Sequence, residues 1–63
     1  MNYQMTYLGT WNAASNTPTL PDLPTNFNNS YYLVTNAGTQ FGISFSVGDW
    51  IVASGDSWSK ISS

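Results

Sequence analysis

Hydrophobic and polar positions alternate along much of this chain with the period of two that marks half-buried strands. Tyr3, Met5 and Tyr7 fall on one side of the first segment and Gln4 and Thr6 on the other. That pattern predicts a strand over residues 1–11, interrupted at Gly9, which breaks it or admits a bulge. Tyr31, Tyr32, Leu33 and Val34 form a second strand, with Tyr31 and Leu33 facing one side and Tyr32 and Val34 the other. Gln40 to Ser46 alternates again and places Phe41, Ile43 and Phe45 on one face. Asn36-Ala37-Gly38 reads as the turn between these two strands, since Asn and Gly both accept left-handed geometry.

The terminal stretch from Phe45 to Ile61 has the densest pattern. Gly48-Asp49 turns the chain into two β-branched and aromatic arms with Gly55-Asp56 between them. Gly supplies the positive φ that a tight hairpin turn needs at its first central position. With a two-residue turn, Ala53 faces Trp58, Ile51 faces Lys60 and Trp50 faces Ile61. Ile51, Ala53 and Trp58 then share one face, and Trp50, Val52 and Ile61 the other. A three-residue loop would shift that register by one. Both faces are apolar in either register, so both call for cover, from the rest of the chain or from another molecule.

Residues 12–29 carry no such alternation. Pro18, Pro21 and Pro24 recur every third residue and favour extended, polyproline-like backbone. A loop this long in so small a domain is functional or packed by its own side chains. Leu20, Leu23 and Phe27 are the residues expected to pin it to the core, as a flap over one face of the sheet. A proline-rich recognition segment is the sharper alternative, but no basic residue flanks it. The whole reading is all-β: one small domain over 1–63, a mainly antiparallel sheet of about five short strands, one long Pro-containing loop and no helix. Its parts are an N-terminal strand (1–11), the loop (12–29), central strands (30–46) and a C-terminal hairpin (47–61).

Composition narrows the function. The chain has 63 residues, no cysteine and no histidine, so neither disulfides nor a His/Cys zinc site can staple it. At 41% hydrophobic and 16% aromatic it is too apolar to be disordered. A core of this size barely offsets the entropy of ordering the chain, which favours oligomerisation or docking onto a larger assembly. One Lys/Arg against three Asp/Glu leaves a net charge of −2, with no basic surface for nucleic acid or anionic membrane. No apolar run is long enough to span a bilayer, and no signal peptide precedes the first strand. A surface rich in Ser, Thr and Asn, with many aromatics, suits sugars or a protein neighbour.

Reactive chemistry is sparse. Without His or Cys there is no imidazole base, thiolate or zinc tetrahedron. Lys60 is the one side-chain amine on offer as a base for a serine, and it lies in a strand without a motif. Asp22, Asp49 and Asp56 are too scattered for a calcium loop. Asp49 and Asp56 have turn roles instead of forming a glycosidase pair. Asn28-Asn29-Ser30 is a glycosylation sequon, informative only in a secreted eukaryotic protein. The expectation is a non-enzymatic chain without metal or cofactor.

Two resemblances add to this. The spacing Phe45-x-x-Gly48-Asp49-x-Ile51-x-Ala53-x-Gly55-x-x-Trp58 resembles the hairpin signature of small chitin-binding-type carbohydrate-binding modules, with Ala53 where that signature has an aromatic. Over nearly the whole chain, Gly9-Thr10-Trp11-Asn12-Ala13, Asn16-Thr17-Pro18-x-Leu20, Tyr31-Tyr32-x-Val34, Ala37-Gly38-Thr39, Val47-Gly48-Asp49-Trp50 and Trp58-x-Lys60-Ile61 occur in order. That series is similar to a module common in bacteriophage tail fibres and other virion surface proteins, which carry Gly-Asp where this chain has Asn29-Ser30. The second resemblance implies a structural role on the virion surface, on capsid or tail, with other virion proteins as partners and a homo-oligomer, by likeness to fibres a trimer. Opening on Met1, the chain reads as a complete decoration or adaptor subunit. The first resemblance implies the alternative, adhesion to host surface glycans, with exposed aromatics stacking on pyranose rings. Trp11, Tyr31, Tyr32, Trp50 and Trp58 are the aromatics on which either use would rest, as glycan platform or interface anchor. Of these, Trp58 matches an aromatic position of the carbohydrate-binding signature.

Overall fold

In a computed structural model, which describes residues 5–27 and 29–63, six strands and no helix are present among the described residues. They are β1 (Thr6–Asn12), β2 (Ser30–Asn36), β3 (Gly38–Gln40), β4 (Ile43–Phe45), β5 (Trp50–Ser54) and β6 (Ser57–Ile61). The all-β class holds. A four-stranded sheet has the order β1-β2-β5-β6, and β3 pairs with β4 in a separate two-stranded ribbon. The residues Tyr3 and Gln4 of the expected first strand lie outside the described residues, as does Asn28 of the sequon.

The terminal hairpin adopts the two-residue register. Ala53 pairs with Trp58, Ile51 with Lys60 and Trp50 with Ile61. Gly55 takes a φ of 63°, the positive angle expected at the first turn residue. Gly9, at φ 127°, sits where the β1–β2 register shifts between Tyr7 and Thr10, which is the bulge the sequence suggested.

Three features depart from the alternation pattern. First, β1 runs parallel to β2, although the other three strand pairings are antiparallel. Parallel neighbours need a long crossover, and residues 13–29 supply it. The Pro-containing loop is therefore the connection that makes a mixed sheet out of this chain, and it crosses the inner face as it returns. Second, the expected strand from Gln40 to Ser46 is split into two. Phe41 and Gly42 both have positive φ, 56° and 74°, and form the turn between β3 and β4. Third, Gly38 has no left-handed backbone and does not serve as a turn residue. A Cβ built there would lie 2.5 Å from the backbone of Ala13 and Ala14, so Gly38 is needed for close approach of two chain segments.

The core lies between the inner face of the four-stranded sheet and a second layer made by the crossover and the β3–β4 ribbon. Trp11, Val34, Ile51, Ala53 and Trp58 come from the sheet, Ala13 and Leu20 from the crossover, and Phe45 from the ribbon. Phe27, Tyr32, Phe41 and Ile43 pack against this cluster. Of the loop residues expected to pin the crossover, Leu20 and Phe27 do so, but Leu23 is exposed and the fully buried Pro24 takes its place. A ring closed onto its own backbone loses little freedom on burial, which makes a proline an inexpensive anchor.

Candidate interaction face

The inner tryptophans are tied to the crossover as well as packed under it. Trp11 Nε1 donates to Asn16 Oδ1 at 3.0 Å, and Trp58 Nε1 donates to the Pro21 carbonyl at 2.8 Å. Asn16 is held in turn by Leu20, whose backbone N–H donates to the same Oδ1 at 3.0 Å. Phe41 lies roughly parallel to both indoles, 6.3 Å from Trp11 and 5.7 Å from Trp58. Phe45 meets Trp11 edge-on, and Phe27 tilts onto Trp58. With 6% of Trp58 exposed and Trp11 wholly covered, neither presents a ring to solvent. Both leave the set of surface aromatics, because the crossover that the parallel β1–β2 pairing demands lies over them. Tyr32, paired with Ile51 on the same side, is partly buried against the core.

The opposite face of the sheet is built from what remains. Tyr7 pairs with Tyr31, Tyr31 with Val52, Leu33 with Trp50, and Trp50 with Ile61. Paired residues of neighbouring strands point the same way, so these side chains share one outer face with Thr10 and Ser59. Tyr31 and Trp50 stack at 4.3 Å with planes 15° apart, and Tyr7 tilts against Tyr31 at 5.4 Å. Among the described residues no second layer covers them, although Val52, between its neighbours, is only 8% exposed. Tyr7 is 52% exposed, Trp50 37% and Ile61 47%. Antiparallel and mixed sheets usually turn a polar face to water; this one has six apolar positions among eight.

Its electrostatics are simple. None of the eight outer positions carries a charge. Lys60 lies on the other side, where its ammonium donates to the Ser44 carbonyl at 2.9 Å. Asp56 sits in the exposed hairpin turn, and Asp22 in the crossover. Asp49 is buried beside the Gly48 turn. Its Oδ2 accepts from Ser46 N–H at 2.9 Å and its Oδ1 from Ser63 N–H at 3.1 Å. Those two bonds, Ser46 first, hold the carboxyl below the usual carboxylate range against the opposing effect of burial, with a smaller contribution from Lys60. Asp49 thus joins the β4–β5 turn to the segment after β6, and it has a structural role, as does Gly48, whose φ is 93°.

Tyr31 and Trp50 are the only two of the five singled-out aromatics that the fold brings together on the outer face. Tyr7, Leu33, Val52 and Ile61 complete its apolar part, and sequence reasoning did not single them out. Alternation placed Ile61 beside Trp50, but the neighbour of Tyr7 depends on a parallel pairing that has no local signal. Among the described residues there is no pocket, and no group of three or more His, Cys, Asp or Glu could hold a metal ion. No protein-family model matches this chain, and no curated protein or solved structure matches it either.

Proposed function

We propose that this chain is a non-enzymatic structural module of a bacteriophage virion, a decoration or fibre-type subunit of capsid or tail that acts through protein contacts. Its partners are other virion proteins and copies of itself, and its place is the virion surface. The observation that carries the reading is the outer sheet face. Tyr7, Trp50 and Ile61 stay exposed there while the core closes without them. An aromatic and aliphatic patch of this kind marks an interaction surface, and aromatics are the residues that anchor protein interfaces. The resemblance in the series from Gly9 to Ile61 supplies the virion setting.

Glycan adhesion finds less support in these residues. Trp58, the position shared with the carbohydrate-binding signature, lies in the core. The stacked pair Tyr31–Trp50 already covers one face of each ring, so that face offers nothing to a pyranose. Quantitative mass spectrometry of density-banded phage particles tests the proposal. A fixed ratio of this chain to the major capsid protein is the expected result. Its absence from banded particles, together with selective binding on a glycan array, would overturn it in favour of adhesion.

A further inference from the structure

We infer that the outer face of the four-stranded sheet is covered by the same face of a second copy, giving a two-fold pair of sheets packed face to face. The inference deepens the proposed role and rests on it for one point, that this face makes protein contacts; it adds the occupant.

Charge, area and layer geometry each point to a second copy. All four charged side chains of the sequence lie off this face: Asp22 in the crossover, Asp49 in its buried turn, Asp56 at the hairpin tip, Lys60 toward Ser44. A charged partner would find nothing there to pair with. An identical face opposes uncharged groups to uncharged groups, so two acidic domains can meet without setting like charges against each other.

A stable specific pair buries about 800 Å² on each partner, which is about a fifth of this domain's 3958 Å². A single edge strand cannot supply that much surface. A contact of that size takes a sheet face together with its rim, and among the described residues this is the sheet face that the chain's own second layer leaves open.

Layer geometry agrees. Sheets pack with inner faces about 10 Å apart when side chains from both interdigitate. The two rows Tyr7-Tyr31-Val52-Ser59 and Thr10-Leu33-Trp50-Ile61, joined by the Tyr31–Trp50 stack, run across all four strands from β1 to β6, so a facing copy would meet side chains along the full width. Such a contact is isologous and closes at two copies. The pair therefore differs from the threefold arrangement that the likeness to fibre modules implies.

The full 63-residue chain is sufficient for the test, which needs no virion and so separates failure of the pair from failure of the virion role. Sedimentation equilibrium from micromolar to near-millimolar concentration should show the mass doubling from 6.9 kDa. In the same series, the Trp50 indole N–H resonance should shift with concentration, while those of Trp11 and Trp58, bonded inside the fold, stay fixed. Ile61→Lys and, separately, Tyr7→Lys place a charge on exposed positions of the face. Each should hold the mass at one chain with an unchanged circular dichroism spectrum, and either variant suffices if the other fails to fold. A parent of one-chain or three-chain mass throughout, a doubling that leaves the Trp50 resonance in place, or folded lysine variants that pair like the parent would each overturn the inference.

Discussion

The indole N–H of Trp58 donates to the carbonyl oxygen of Pro21, 37 positions earlier, at 2.8 Å. This bond ties the last strand to the crossover that enters the fold between β1 and β2. Trp11, which like Trp58 lies roughly parallel to Phe41, makes the matching bond to Asn16. In a chain without cysteine, and so without disulfides, these two indoles fasten the second layer to the sheet. Each combines a large buried ring with a satisfied polar end.

Asn16 is the more exposed end of that arrangement and the easier to test. Its Oδ1 accepts from both Trp11 Nε1 and Leu20 N–H, and its backbone φ is 53°. Asn16→Ala strands a buried indole donor and puts alanine in a left-handed conformation, so about 1–3 kcal/mol should be lost. Urea unfolding would show this as a lowered midpoint. Ser15→Ala, which removes only an exposed hydroxyl contact with Thr17, should leave the midpoint nearly unchanged.

Two glycines should respond differently to the same added methyl group. Gly55→Ala strains only the positive φ of the hairpin turn, at a cost of about 1–2 kcal/mol, because nothing lies within 4 Å of the new Cβ. Gly38→Ala would drive its Cβ to 2.5 Å from the Ala13 backbone. The ribbon must then move off the crossover, so Gly38→Ala should cost more and should broaden or abolish the cooperative melt. The reverse order would mean that the Gly38 contact relaxes easily.

Phe41 sets backbone strain against stacking. A φ of 56° is unfavourable for a bulky residue, yet the ring lies parallel to Trp11 and Trp58. Phe41→Asn suits the turn better but removes the ring that contacts both indoles. Since an aromatic pair contributes about 0.5–1.5 kcal/mol beyond its buried area, losing two such contacts outweighs the relief of strain. The variant should melt lower than the parent. A higher melting temperature would show that the strain exceeds the stacking.

Acid should weaken the fold through Asp49. Its folded-state pKa is lowered by the Ser46 and Ser63 N–H groups, so the unfolded chain binds the proton more readily. The contribution is complete above the unfolded value of about 3.9 and disappears as pH falls through the lower folded value. Stability should therefore hold from neutrality to about pH 5 and decline below pH 4. Asp49→Asn should be less stable at neutrality, because the amide presents a donor to one of the two N–H groups. It should also show a shallower decline in acid, which parallel chemical-denaturation series at graded pH would measure.

Legibility in the sequence followed range. The terminal hairpin could be read to within one register step, because Gly55 and the alternating arms lie within a dozen positions, and the structure selects the two-residue turn of the two alternatives. The Gly9 bulge and the Asp49 turn were local for the same reason. The parallel pairing of Tyr7 with Tyr31 could not be read, since it depends on where a 17-residue crossover returns (13–29). That one pairing decides which tryptophans are covered, so the outer face stayed only half legible. Phe41-Gly42 hid inside an apparent alternation, because a bulky aromatic is an unusual first residue for a tight turn. Leu23 gave up its expected place to Pro24 because the local turns of the crossover, rather than hydrophobicity, set which side chain faces inward.

The central claim is that the sheet divides its aromatics, with the inner face holding the fold and the outer face left for association. Thermal melting of Trp58→Ala beside Trp50→Ala, followed by circular dichroism at the lowest workable concentration, tests it most directly. Trp58→Ala should lose about 3–5 kcal/mol and with it the folded state, since a core of this size supplies about that much in total. Trp50→Ala, which forfeits the stack on Tyr31 and the burial of a ring that is already 37% exposed, should keep a cooperative melt and lose clearly less than Trp58→Ala. A folded Trp58→Ala, or an unfolded Trp50→Ala, would contradict the division.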